Sequence, residues 1–264
     1  MKKIVICFLY LGLLFPISLF AQEKEAMSAD ELAKKLANPI ASLISVPFQG
    51  NLDVGIGDTN GSKFVMNFQP VIPFKLNENL NLITRWIIPI VSQYDMGNQP
   101  SSESGLGDAI ISGFLSPANT EITWGVGAAF VVPTATDAKL GGKKWATGPS
   151  IVALKQVGPW TYGALANHVW SVAGDEDRSD YSSTFINPFL TYNWKGGAGV
   201  NLIAEYTHEW KSDTNIFVIM PTLSAVAKLG KQTTSFGIGP RFHFAPDVRP
   251  EYGLRAAITL VFPK

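Results

Sequence analysis

The chain contains three histidines, His168, His208 and His243, and they are its best candidates for catalysis or metal binding. A histidine beside a nucleophilic serine can build a lipase, and histidines at close spacing can bind a metal ion. No Gly-x-Ser-x-Gly pattern accompanies any of them, and His243 has no second histidine at metal-ligand spacing. We therefore predict that the protein is not an enzyme and uses no cofactor or metal.

A larger set of charged residues recurs at alternate positions in stretches that are otherwise apolar. It comprises Asp53, Lys63, Arg85, Asp108, Glu121, Glu205, Glu209, Arg241, His243 and Arg255, accompanied by the polar residues Asn67, Gln69, Asn187, Asn201 and Ser235. Successive side chains of a strand point to opposite faces, so the alternation places this set on one face. All the charged residues except Glu121 and Glu209 are our candidates for lining a solute pathway. Two interpretations remain open: the charges pair as internal struts, or the three arginines face a passing solute.

The elements that position these charges are predicted to be strands. In the segment 199–210, one face carries Val200, Leu202, Ala204, Tyr206 and Trp210, and the other carries Asn201, Glu205, Thr207 and Glu209. Twelve such segments are predicted, at about 43–57, 62–74, 80–91, 105–117, 120–133, 145–157, 159–173, 181–194, 198–210, 214–229, 232–244 and 252–262. An even number of strands with one apolar face predicts an all-β fold, an antiparallel barrel in a bacterial outer membrane.

The connections and the aromatic residues predict how this barrel is oriented. Every second connection is a tight turn, such as Gly158-Pro159 or Gly230-Lys231, whereas most of the others are longer and polar. This asymmetry is typical of barrels with short periplasmic turns and longer outer loops. Two aromatic belts are predicted, from Trp124, Trp160, Tyr162, Tyr192, Trp194 and Phe262 at the periplasmic ends of the strands and from Phe64, Trp170, Trp210 and Phe244 at the outer ends.

Proline is the main objection to twelve continuous strands, because proline cannot donate a hydrogen bond to the ladder. The prolines inside the predicted segments are Pro70, Pro73, Pro89, Pro149, Pro188, Pro221 and Pro240. Several of them are expected at bulges or strand ends. If many strands are broken there, the count of twelve is too high.

The N-terminal region is predicted to differ from the barrel. Residues 1–21 match a cleavable signal peptide, with Lys2 and Lys3 before an apolar run and Ala21 at the cleavage site. Residues 22–42 form a periplasmic segment with a short helix at 28–37, and residues 43–264 form the barrel. The Ser28-x-x-Glu31 capping signature begins the helix, which plugs the barrel, lies at its mouth or only caps the domain.

Bulk composition points to lipid and small solutes as partners. The chain has 21 basic and 21 acidic residues, so removal of Lys2 and Lys3 leaves 19 against 21, a charge of about −2. That balance argues against nucleic acid. The only cysteine, Cys7, lies inside the predicted signal peptide, so thiol chemistry is excluded from the mature chain.

Three segments resemble the family named for the MetA pathway of phenol degradation. They are the run from Leu36 to Gln49, the Gly105-Leu106-Gly107-Asp108 motif and the run from Trp160 to His168. The resemblance covers nearly the whole mature chain and implies an outer-membrane barrel with a transport role, for hydrophobic or aromatic compounds. It supplies no functional residues, so the residue assignments above rest on alternation alone.

The predicted function is passive passage of small solutes through an outer-membrane channel. The alternative is a structural or adhesion barrel, with a lumen closed by its charges and by the helix, and with the outer loops as the working surface.

Overall fold

The computed structural model describes residues 27–96, 101–118, 120–245 and 249–262. The predicted signal peptide lies outside these residues. One helix, α1 (Ala29–Leu36), precedes the strands, and no helix among the described residues is long and apolar enough to cross a membrane.

Twelve antiparallel strands follow α1, and they close into a barrel. They are β1 (Ile44–Ile56), β2 (Gly61–Phe68 and Val71–Lys75), β3 (Leu80–Tyr94), β4 (Ser102–Leu106 and Ala109–Pro117), β5 (Ile122–Val132), β6 (Lys144–Val157), β7 (Trp160–Gly174), β8 (Ser182–Asn193), β9 (Ala198–Glu209), β10 (Thr214–Leu229), β11 (Gln232–Pro240 and Phe242–Ala245) and β12 (Tyr252–Phe262). Each strand pairs with its chain neighbours, and β12 pairs with β1 from Ile44 opposite Phe262 to Val54 opposite Tyr252. The predicted fold class and strand count are confirmed.

The outer surface of the barrel is apolar because one alternating set of side chains faces away from the lumen. In β9, Leu202 is 48% exposed, and Trp210 just after the strand is 61% exposed. At the end of the barrel with the short turns, Trp160 contacts Tyr192 with ring centroids 4.7 Å apart, and Tyr192 contacts Trp194 at 5.9 Å. Aromatic rings of this kind suit the interface between hydrocarbon and headgroups.

Three strands are interrupted, and each interruption lies at or beside a proline. The first, in β2, is at Pro70, and the third, in β11, follows Pro240. Leu223 pairs with Ile238, so the same register places Pro240 opposite Pro221 in β10. In the second, β4 places one extra residue opposite β3 beside Pro89, because Ile90 pairs with Leu106 while Ile87 pairs with Ile110. That geometry is a β-bulge. The interruptions shorten the ladders locally and do not reduce the number of barrel strands.

A side chain replaces the missing donor at one proline inside a continuous strand. Pro188 in β8 lies opposite Ala204, as the pairs Ile186–Tyr206 and Phe189–Ile203 require. The Asn187 side-chain amide donates to the Ala204 carbonyl at 2.8 Å. This bond satisfies a carbonyl that would otherwise be unpaired within the wall.

The N-terminal segment closes one end of the barrel and enters its lumen. The Ser28 hydroxyl accepts from the Glu31 amide at 3.2 Å and the Glu31 carboxylate accepts from the Ser28 amide at 3.0 Å, which is the predicted capping box. The Gln156 side chain donates to the Lys34 carbonyl at 2.7 Å, which ties α1 to β6. Beyond the helix, Ile40 is 2% exposed and packs among side chains of the inner wall.

Closure of the barrel predicts resistance to detergent at room temperature. All strands are paired on both sides, so unfolding must break a complete ring of hydrogen bonds. We expect unheated protein to migrate differently from boiled protein on a denaturing gel. Identical migration, together with a circular dichroism spectrum richer in helix than one eight-residue element allows, would contradict this fold.

Candidate functional site

The luminal charges are centred on Asp53 in β1. Its carboxylate accepts from Arg241 at 2.9 and 3.2 Å and contacts the His243 Nε2 atom at 2.9 Å. His243 lies in β11, and Arg241 lies at the interruption of that strand. In the barrel wall, β12 separates β11 from β1. These contacts therefore reach across the inner surface. All three side chains are largely buried.

A second ion pair extends this cluster across the lumen. Arg255 in β12 donates to Glu205 in β9 at 3.1 Å, although β10 and β11 separate the two strands in the wall. Arg255 also donates to Asn51 at 2.7 Å, and Arg241 donates to the same Asn51 oxygen at 3.0 Å. Asn51 thus joins the two ion pairs into one network, and alternation alone did not single it out.

Arg85 and Lys63 complete the cationic side of the lumen. Arg85 in β3 donates to the Gln69 side chain at 3.0 Å, and Gln69 lies at the interruption of β2. Lys63 is the cross-strand neighbour of Asp53. In this network four cations, Lys63, Arg85, Arg241 and Arg255, accompany two carboxylates, Asp53 and Glu205, so the local field is positive before His243 is counted.

The other predicted acidic residues lie away from this network. Asp108 lies at the β4 bulge and accepts from the backbone amides of Ala135 at 3.1 Å and Gly142 at 2.6 Å, so it holds the β5–β6 loop. Glu209 accepts from the Ser182 amide at 2.8 Å. Glu121 is exposed in the turn before β5 and pairs with Lys155 at 2.5 Å, so it does not line the lumen.

The part of the lumen next to this network is apolar and filled. Ile40 from the N-terminal segment packs with buried side chains from β2, β3, β4, β6 and β7, namely Val71, Ile83, Phe114, Val152 and Leu165. The lumen therefore has an apolar half that the N-terminal segment occupies and a polar half that carries the charge network.

A cavity of about 260 Å³ lies between the N-terminal segment and the polar half. Residues of the segment around Leu36 and Pro39 line one side, and residues of the barrel wall, including Arg85, Asn201 and Arg255, line the other. The segment thus leaves a space beside the luminal arginines.

The loops at the other end of the barrel are tied to one another. Arg178 donates to the Gly141 carbonyl at 2.7 Å, and Asp180 pairs with Lys144 at 3.0 Å. The hydrogen bond from Lys144 holds the pKa of Asp180 below its usual value, with a smaller contribution from Ser171. Burial raises the pKa of the Tyr181 phenol to about 12, so this ring stays neutral as it packs on the luminal cluster of Ala129, Val131, Ala146 and Val169.

Two histidines lie on the outer surface among interfacial aromatics. His168 contacts the Thr184 hydroxyl at 2.8 Å and the Ser182 hydroxyl at 3.3 Å. The Ser182 contact arises from the pairing of β7 with β8 and could not be found from local motifs. The Ser182 amide is engaged by Glu209, so it is not free to stabilise an oxyanion.

The second outward histidine also uses its hydrogen-bonding capacity at the interface. His208 contacts the Asn215 side-chain oxygen at 2.9 Å and lies edge-on to Trp210 at 4.4 Å. Among the described residues, no group of three or more histidine, cysteine or acidic side chains is placed to hold a metal ion.

The fold is similar to that of known outer-membrane barrels. A crystal structure of an outer membrane channel from Pseudomonas putida F1 matches with a TM-score of 0.67 at 15% identity, over 85% of this chain and 97% of that chain. An anion-selective porin from Comamonas acidovorans (TM-score 0.43, 10% identity, 83% and 98% coverage) and outer membrane phospholipase A from Escherichia coli (TM-score 0.45, 10% identity, 84% and 99% coverage) are less similar.

The sequence matches no protein-family profile and no curated protein. The comparisons therefore establish the barrel fold, and they leave the membrane and the solute to be inferred from the surface and the site.

Proposed function

We propose that this protein is an outer-membrane channel through which small solutes pass passively. The observation that carries the proposal is the polar half of the lumen, where four cations and two carboxylates lie close together and two of the cations, Arg85 and Arg255, border a cavity beside the N-terminal segment. Fixed charges of this kind set the field inside a narrow passage. The similarity to an outer membrane channel supports the same function.

The resemblance to the phenol-degradation family adds hydrophobic or aromatic compounds as the solute class. The apolar half of the lumen supports this class, because displacement of Ile40 would expose Phe114, Val152 and Leu165 to a solute. In this proposal the signal peptide is removed and residues 22–42 act as a periplasmic plug. We propose no catalytic activity, since the amide of Ser182, the serine beside His168, is engaged by Glu209 and is not free to stabilise an oxyanion.

A closed structural or adhesion barrel is the second candidate, and one observation favours it. The Asp53, Arg241, His243 and Arg255 side chains pair internally, and α1 covers one end of the lumen. In that case the charges act as struts, and the tied outer loops are the working surface.

Ion selectivity of an Arg241→Gln/Arg255→Gln variant separates the two candidates. If the lumen conducts, loss of two fixed positive charges should shift the reversal potential in a salt gradient toward cations, because charges in a confined passage are poorly screened. The matched control is Lys155→Gln, which removes a cation near the short-turn end of the barrel that pairs with Glu121 outside the lumen, and which should leave selectivity unchanged.

Three results would count against the channel. If the double variant keeps the wild-type ion selectivity and its thermal unfolding midpoint is lower, the closed barrel is favoured, because the buried carboxylates have lost their partners. An equal shift of the reversal potential in Lys155→Gln would mean that the change in selectivity does not come from the luminal arginines. Absence of conductance from wild type and from a variant lacking residues 27–40 would exclude the channel itself.

A further inference from the structure

The cavity beside the luminal arginines carries a charge imbalance of its own. Three cationic side chains line it, Lys35, Arg85 and Arg255, and no carboxylate of the described residues does. Arg255 is already paired with Glu205 at 3.1 Å and bonded to Asn51 at 2.7 Å. The other two cations leave this cavity suited to a negatively charged occupant.

Arg85 is the group in the cavity with the most unused hydrogen-bonding capacity. Its guanidinium has five N–H donors, and among the described residues it makes one side-chain hydrogen bond, to Gln69. No described carboxylate lies within 4.0 Å of it, whereas Arg241 and Arg255 each have one. A carboxylate is the partner that matches a guanidinium in both charge and planar two-point geometry.

Two further polar atoms of the cavity wall lack partners among the described residues. They are the Thr222 hydroxyl oxygen and the Asn193 side-chain nitrogen, both buried. Thr222 as a whole is only 7% exposed. Buried polar groups are almost always hydrogen-bonded, so these two atoms are available to a molecule in the cavity that reaches them.

The apolar lining and the volume of the cavity indicate what kind of molecule it can hold. Leu43, Val71, Ile203 and Val226 supply apolar surface in the same cavity. Pockets for drug-sized ligands run from about 300 to 1,000 Å³, so a cavity of about 260 Å³ is suited to a smaller molecule.

We propose that this cavity binds a small organic carboxylate, whose headgroup pairs with Arg85 while the ligand supplies polar partners for Thr222 and Asn193. The apolar wall contacts the body of the ligand. This inference rests on the proposed channel, since it makes a carboxylate-bearing compound the solute that the lumen selects.

Calorimetric titration of the full mature chain in detergent tests the site directly. The probes are sodium benzoate and its neutral isostere benzamide, at pH 8 and fixed ionic strength. We expect saturable benzoate binding, with benzamide at least tenfold weaker. We expect Arg85→Gln to weaken benzoate binding at least tenfold and Thr222→Val about threefold, because each removes a partner of the ligand.

Lys155→Gln is the matched control, because it removes a cation that pairs with Glu121 outside the lumen and does not line the cavity. It should change the benzoate affinity by less than twofold. Heat-dependent gel migration verifies that each variant is folded, and Arg85→Lys and Thr222→Val provide second tests if Arg85→Gln fails to fold. Arg85→Lys should bind more weakly than wild type, since it keeps the charge and loses the two-point geometry.

Four results would overturn the proposal: no saturable binding by wild type, equal binding of benzamide, equal losses in Lys155→Gln and Arg85→Gln, or complete competition by chloride at the benzoate concentration. The last would assign the cavity to inorganic anions. Bilayer conductance without benzoate binding would reject this site and retain the channel. Benzoate binding without conductance, from wild type and from the variant lacking residues 27–40, would retain the site and reject the channel.

Discussion

Replacement of Asp53 by alanine should lower the free energy of unfolding by about 3 to 5 kcal/mol, because it leaves a buried guanidinium without its carboxylate. Asp53 accepts two hydrogen bonds from Arg241 and contacts His243 at 2.9 Å. The Arg241 side chain is only 10% exposed, so water does not replace the lost partner. A urea titration of protein folded in lipid vesicles, followed by tryptophan fluorescence, measures the loss.

The matched control for this prediction removes both charges. Asp53→Ala combined with Arg241→Leu leaves no uncompensated guanidinium and should recover a large part of the stability lost by Asp53→Ala. If Asp53→Ala unfolds at the wild-type urea concentration, the carboxylate does not anchor the luminal network.

Arginine at Leu202 should destabilise the barrel by about 2 to 4 kcal/mol, because it places a charge on the lipid face near the middle of the membrane. Leu202 lies in β9, and its side chain is among the exposed apolar residues of the outer surface. The same vesicle titration measures the effect against wild type.

Arginine at a luminal position should be tolerated better than arginine at Leu202. Asn201 is the adjacent luminal residue, but its side chain bonds Thr191 at 2.8 Å and Ser224 at 3.0 Å, so its replacement also removes internal hydrogen bonds. Ser235 borders the luminal cavity and is the cleaner control. Equal losses in Leu202→Arg and Ser235→Arg would mean that the two faces are misassigned.

Strands and their faces were predictable from the sequence because alternation is a local property. The pattern that separates Leu202 from Glu205 follows from the pleat alone, whatever the partner strands are. The helix was equally predictable, since the Ser28 and Glu31 capping box is satisfied within one turn. The prolines indicate where strands are interrupted. The bulge at Gly107 and Asp108 could not be predicted, because it depends on the register between β4 and β3.

The luminal contacts were less predictable because they depend on closure of the barrel. Alternation indicates that Glu205 and Arg255 point inward, yet their contact crosses two intervening strands and requires the barrel diameter. Asn51 has no charge to draw attention to it, although it joins both ion pairs. Alternation also places Asp108 on the luminal face. It lies at a bulge, however, and its carboxylate accepts from amides of the β5–β6 loop and not from the luminal cations.

The burial of Ile40 depends on strands that follow it in the chain. Its neighbours Val71, Ile83, Phe114 and Val152 come from four strands that follow it in the chain, and their side chains converge only after those strands have paired. The N-terminal segment is therefore synthesised before the strands among which Ile40 packs. The first turn of its helix can form without contacts to the barrel, because the capping box of Ser28 and Glu31 satisfies amides at the helix N-terminus locally. The helical turn thus depends on local sequence, whereas the packing of Ile40 depends on the pairing of β2 to β7 and does not require β12 to have paired with β1.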